Sequence, residues 1–346
     1  MVNWSTYKSK FFAFFGVLLF VSLVSALKPL PSFKTTNNAV LWGFYGHRRI
    51  NRMAMFTLPP EMVGFYKEHI EFITEHAVDP DKRRYAVESE AQRHYIDIDH
   101  YVKNGEDPFT VVPKKWLDAV AKFTEDTLQA YGIVPWQIEV MARRLTYAFK
   151  DKNVDLILKY STELGHYVGD AHVPLHTTEN YNGIATNQKG IHGLWESRLP
   201  ELLAENYDYF VGKATYVKNV NEFAWKAVKA SNAALDSVFL FEKQLTQEMP
   251  ADQKYSYETR GSATIKTYSK AFSDAYSERL NGMVERRMRA AIINVGSIWY
   301  TCWVNAGQPD MNELMNKVPS DSLLEEEKQL DILYQTSKIK GREHDE

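Results

Sequence analysis

Apolar residues recur at three- and four-residue steps along most of the chain, the spacing that lines one face of an α-helix. LPPEMVGFYKEHIEFITEH opens on prolines suited to a first helical turn and then carries such a stripe. WLDAVAKFTEDTLQAYG, WQIEVMARRLTYAFKD, VDLILKYSTELGHYVGD and NEFAWKAVKASNAALDSVFLFEKQL repeat the pattern. In YSERLNGMVERRMRAAIINVGSIWYTCWVN, Met288, Ala291, Ile292, Val295, Trp299 and Cys302 form one stripe, predicted to face a core. No alternating β pattern competes, so the expected fold is all-α, a single multi-helix domain. After Pro309 a short helix through LLEEEKQLDILYQ leads to a charged end, so 309–346 reads as a C-terminal helix and disordered tail.

The first residues break this pattern. MVNWSTYKSK supplies Lys8 and Lys10, the sixteen residues FFAFFGVLLFVSLVSA are almost wholly apolar, and Val24-Ser25-Ala26 is a small-residue cleavage site. That order of features is a secretory signal, and sixteen residues fall short of the roughly 17–25 that a membrane span uses. Residues 1–26 are therefore expected to be a signal peptide, with an uncleaved anchor through 11–26 as the alternative. The protein is expected to be exported, periplasmic or secreted. LKPLPSFKTTNNAVL, with its prolines and small polar residues, reads as a linker over 27–41.

Composition narrows the classes. With 346 residues, 45% of them hydrophobic, the chain can bury a large core. A net charge of −3 argues against global affinity for duplex nucleic acid. The single cysteine, Cys302, excludes an internal disulfide, which suits export from a bacterium, and its place on the apolar stripe makes it a core residue. Basic clusters at Arg48-Arg49 and Lys82-Arg83-Arg84 read equally as solvated helix faces or as partners for a phosphate.

GHYVGDAHVPLH, residues 165–176, spends helical positions on imidazoles and a carboxylate where packing alone would use Leu or Ala. His166 and Asp170 are four apart, hence on one helix face; Pro174 then ends the helix just before His176. GIHGLWESRLPE repeats the device with His192 and Glu196. Nitrogen and carboxylate donors so spaced suit a first-row divalent metal, zinc most readily. Two His–acid pairs at this spacing barely exceed the roughly 1.3 that ten histidines would give by chance, so the pairs decide nothing alone.

A larger pattern decides. WGFYGH carries Trp42 and His47; EHAVDPDKRR carries Asp79; RHYIDID carries His94; HYVGDAHVPLH carries His166, Asp170 and His176; HGLWE carries His192 and Glu196. In this order and spacing the sequence resembles the zinc-dependent phospholipase C superfamily, which includes single-strand-specific zinc nucleases. The resemblance implies a helical hydrolase domain, here 42–308, holding three zinc ions. One ion would take Asp79, His94 and His166. A second would take His47 and Trp42, with Asp170 bridging the two. The third would take His176, His192 and Glu196. It also implies catalysis by a metal-bridged hydroxide attacking phosphorus, with Asp79 and Asp170 as the catalytic carboxylates. Arg48, Lys82 and Arg83 are candidates for holding substrate. In the family the tryptophan is the mature N-terminus, whereas cleavage after Ala26 would leave Trp42 sixteenth in this chain.

Substrate class divides the superfamily. Glu196 as the last acid, the short gap from His176 to His192, and NYNGIATNQKG in place of a Gly-Gly-Asn element resemble the phospholipases. Trp195 before that acid and the Asp170-to-His176 form DAHVPLH resemble the nucleases. The expected substrate is a phospholipid, with single-stranded nucleic acid as the alternative and a non-catalytic zinc-binding role as a third reading. No protein partner is indicated.

Overall fold

Helix α1 (Trp42–Ala54) buries one face through Phe44, His47, Ile50, Asn51 and Ala54, and the two polar members of that face mark where it meets the site. The structure is a computed structural model that describes residues 42–103, 105–260 and 263–341. The expected signal or anchor (1–26), the linker (27–41) and the last five residues lie outside the described residues. All described residues belong to one unit, Asn37–Glu346. Among them no helix is long and apolar enough to cross a membrane.

The chain continues through helices Pro60–Glu68 and Ile70–Glu75 to a single turn, α2 (Asp79–Arg83). After the helices Trp116–Phe123 and Glu125–Tyr131 come the long antiparallel neighbours α3 (Val134–Lys150) and α4 (Val154–Asp170). Asn153 caps α4, its side chain accepting from the Leu156 N–H at 3.1 Å. From Ser161 to Asp170 every residue of α4 is buried, because α1, α3 and a later helix surround it. The chain then runs through α5 (Val220–Asn232) and the helix Leu235–Glu248 to a hairpin, β1 (Tyr255–Arg260) with β2 (Ala263–Tyr268). It ends through Lys270–Leu280, α6 (Met283–Asn305) and α7 (Asp321–Thr336).

The core surrounds α4 and α6. The expected stripe from Met288 to Cys302 is buried throughout, and Trp299 stacks on Tyr66 with ring centroids 4.9 Å apart. The Cys302 thiol donates to the Ala142 carbonyl inside this core.

Two close approaches place α1 against α4. A side-chain carbon on Gly165 would lie 2.0 Å from Asn51 Oδ1, and one on Gly169 would lie 3.0 Å from His47 Nδ1. Only hydrogen at both positions lets α1 lie this close. His47 consequently stacks on His166 at 3.9 Å.

Several expectations need correction. The long periodic stretches break where the backbone turns: at His69, at Thr124 with φ 69°, and at Asn281-Gly282, both left-handed. The all-α reading holds apart from β1–β2, which pairs Tyr255 with Tyr268 and Arg260 with Ala263. Its signal was the alternation in YSYETR and ATIKTY, short enough to be lost among helical periods. The expected disordered tail is ordered as far as Gly341: the Lys340 N–H donates to the Arg84 carbonyl at 2.8 Å, and its ammonium donates to the Ala86 carbonyl.

Candidate metal centre

The last two turns of α4 supply the floor. His166 Nδ1 donates to the Ala77 carbonyl at 2.8 Å, which leaves Nε2 as the lone-pair nitrogen and aims it inward. One turn on, Asp170 Oδ2 stands 3.2 Å from that nitrogen and 3.1 Å from His94 Nδ1. The two imidazole nitrogens are 3.0 Å apart. Asp81, from α2, brings Oδ1 to 3.6 Å from His94 and 3.7 Å from His166.

The other Asp170 oxygen faces the opposite side. Oδ1 lies 3.5 Å from His47 Nε2 and 3.3 Å from His176 Nδ1. His176 and His192 meet Nε2 to Nε2 at 3.0 Å. Glu196 Oε2 stands 2.7 Å from His192 and 3.2 Å from His176, and its other oxygen 3.5 Å from His47. Glu196 reaches inward from a wide turn, Leu194–Arg198, anchored by Arg198 Nη1 to Glu258 Oε2 of β1 at 2.9 Å.

Three donor sets meet at the cluster: His47, His166 and Asp170; Asp81, His94 and His166; His176, His192 and Glu196; a fourth, His76, Asp79 and Glu327, lies apart from them. Donors 2.0–2.2 Å from one tetrahedral zinc lie about 3.3–3.6 Å from each other, and the spacings above bracket that range. Asp170 Oδ2 is buried and accepts no hydrogen bond, although two ring nitrogens stand within 3.2 Å. A buried carboxylate oxygen facing lone-pair nitrogens is the donor arrangement a divalent cation satisfies. Burial raises the Asp170 carboxyl, but the His166, His94 and His176 imidazoles outweigh it and hold the group well below the usual carboxylate range. His176 and His192 do the same for Glu196 against its burial.

Of the expected ligands, His47, His94, His166, Asp170, His176, His192 and Glu196 come together. Trp42 opens α1, five residues before His47. Asp79 does not join them. Its Oδ2 meets His76 Nδ1 at 2.7 Å and its Oδ1 meets Lys82 Nζ at 2.9 Å, and the carboxylate facing the cluster is Asp81. Residues two apart on a helical turn point in nearly opposite directions, so DPD can send only one acid inward.

The three candidates for holding substrate are engaged elsewhere. Arg48 pairs with Glu75 at 2.8 Å. Lys82 sits between Asp79 and Asp331. Arg83 pairs with Glu163 and Glu90. The cation beside the cluster is Arg84, buried, with burial depressing its pKa and the charges of Asp81 and Asp170 opposing that. Its signal was legible: Arg84 is three residues after Asp81 and shares its face.

Further groups support the ligands. Glu90, fully buried, accepts from Tyr167 and from Arg93 at 2.8 Å, and its carboxylate stands 3.6 Å from His94 Nε2. Burial raises its pKa, yet His94 and Arg83 bring it down to about 2. His172 is buried behind His47, bonded to the Val168 carbonyl and to Asn294. His100 instead stacks on Tyr131 and pairs with Glu179, outside the cluster. His69 and His76 sit at helix ends, the first buried and the second bonded to Asp79. A cleft of about 500 Å³ is walled by Tyr95, Asp97, Tyr131, Glu179, Tyr181 and Gly341; none of these is a donor, and the Tyr181 ring is edge-on to His192 at 5.8 Å.

The S1/P1 Nuclease family matches residues 42–298. No curated protein sequence matches the chain. A crystal structure of Clostridium perfringens alpha-toxin from an avian strain superposes with a TM-score of 0.43 and 13% identity, covering 78% of this chain. The chain spans 65% of that toxin's length. A match over well more than half of the sequence makes the chain a member of the S1/P1 nuclease family.

Proposed function

We propose that the protein is an exported nuclease that cleaves single-stranded nucleic acid with three zinc ions held by the three donor sets. The observation that carries this reading is the family match over residues 42–298, together with a tyrosine-walled cleft from which Tyr181 reaches the His192 ring. Bases of an unpaired strand stack on exposed aromatic rings. Zinc bound at these donors would lower the pKa of a water to near neutrality and take up charge developing on the phosphoryl oxygens.

The chain's own residues set the geometry. Asp170 offers one oxygen to each side of the cluster and so ties the donor sets to a single carboxylate. Arg84, buried nearby, places a positive charge that the Asp81 and Asp170 carboxylates feel. No side-chain nucleophile is required: Cys302 is sealed in the core, its thiol pushed up to about 12 by burial. The hydrolase domain is read as 42–308, with 309–346 appended, and export rests on the apolar stretch 11–26.

A second reading, phospholipase C-like hydrolysis, is favoured by Glu196 as the final acid. Assay of the purified protein on single-stranded DNA and on phosphatidylcholine vesicles, with and without chelator, separates the two. Chelator-sensitive cleavage of DNA alone supports the nuclease, and cleavage of lipid alone overturns it. Bound zinc with neither activity favours a non-catalytic zinc protein.

A further inference from the structure

Helix α2 carries Asp81 to the cluster, yet it is one turn of five residues with no side-chain cap at its start. A turn that short has no stability of its own, so its orientation must be imposed from outside. Three contacts impose it from a part of the chain that the family match, ending at residue 298, does not reach. Asp331 of α7 bonds Lys82 Nζ at 2.8 Å. Glu327 of α7 stands 3.4 Å from His76 Nδ1, the group that holds Asp79. Just beyond α2, Lys340 holds the Arg84 and Ala86 carbonyls.

The other edge of the same segment is fixed to α4. The Ser320 N–H donates to Asp155 Oδ1 at 2.9 Å, and Glu326 pairs with Lys159. Asp155 and Lys159 belong to the helix that presents His166 and Asp170. Residues 320–341 therefore form a strap between the two elements whose separation sets the Asp81 to His166 distance. One direct tie, Arg83 to Glu163, runs alongside it. Asp79 and Asp81 divide the work: one faces the strap, the other the cluster.

We propose that this C-terminal strap is a positioning element of the metal centre, holding α2 so that Asp81 completes the set with His94 and His166. The inference rests on the metal-centre reading above. Loss of the strap's grip should weaken the ion on that set by ten- to a hundredfold, the range seen when groups supporting a ligand are removed, and leave the ion of His176, His192 and Glu196 in place.

The test uses the full-length chain loaded with zinc, with zinc per chain measured across a chelator titration. Asp331 is half exposed, so Asp331→Asn should fold normally, with circular dichroism checking each protein; Glu327→Gln is the second variant. Each should release one ion at ten- to a hundredfold lower chelator concentration than the unaltered chain, with the remaining ions released at the original concentration. Glu325→Gln, on the same helix but facing solvent, should match the unaltered chain. Release profiles identical to the unaltered chain in both variants, or simultaneous loss of every ion, would overturn the proposal. His166→Ala separates this from failure of the underlying reading, because full zinc retention there would remove the metal centre itself.

Discussion

Asp170 is the residue whose loss the geometry judges most severely. Its two oxygens stand within 3.5 Å of four imidazoles, His94 and His166 on one side and His47 and His176 on the other. Asp170→Asn preserves size and removes the negative charge from both sides at once. Removing a group that merely supports a ligand costs about 10–100-fold in metal affinity. A shared ligand should cost at least the upper figure, about 2.7 kcal/mol per ion at 1.36 kcal/mol per tenfold. If two ions share it, as the three-ion proposal requires, stability in saturating zinc should fall by about 5 kcal/mol through linkage. At roughly 2 °C per kcal/mol for a chain of this size, Tm should drop by about 10 °C. The assay is thermal unfolding of both proteins in zinc and in chelator, with elemental analysis of the dialysed samples. The gap should shrink in chelator, where neither protein holds metal, and the variant should keep one ion per chain in dialysis. A variant with its full zinc content and the same zinc-dependent rise in Tm would refute the bridging geometry.

Other outcomes follow from the same structure. Gly165→Ala forces a carbon to 2.0 Å from Asn51 Oδ1; overpacking of this kind costs about 1–3 kcal/mol, read as a lower Tm, and displacing α1 should also reduce zinc bound at His47. Cys302, with its thiol pushed up to about 12, should resist alkylation at pH 8 in the native protein and react fully in denaturant, and Cys302→Ala should keep activity. Tyr167→Phe removes the hydroxyl donor to the buried Glu90 carboxylate and should cost about 1–3 kcal/mol in chemical denaturation; no change would mean that Glu90 is satisfied without it. Exhaustive chelation should abolish phosphodiester cleavage, with zinc restoring it, and metal-independent turnover would contradict the whole site.

Residue type and local periodicity, both carried by the sequence, determined much of this protein. The helices, the buried Met288–Cys302 stripe and the placement of His166 with Asp170 follow from steps of three and four residues, because a helix repeats its faces whatever surrounds it. The order of imidazoles and carboxylates carried the family resemblance, and the resemblance implied a metal-binding hydrolase. What local pattern does not encode is direction. DPD offered two acids, and only the packing of α2 between the cluster and the strap turned Asp81 inward and Asp79 outward. Lys82 and Arg83 read as phosphate partners in the sequence, yet contacts more than 70 residues distant, to Asp331 and to Glu163, assign both to structural ion pairs. Nothing in the local pattern marks Gly165 and Gly169 as the places where α1 comes close; only the packing does. Such choices are made by long-range contacts, and those exist only once the chain has closed on itself.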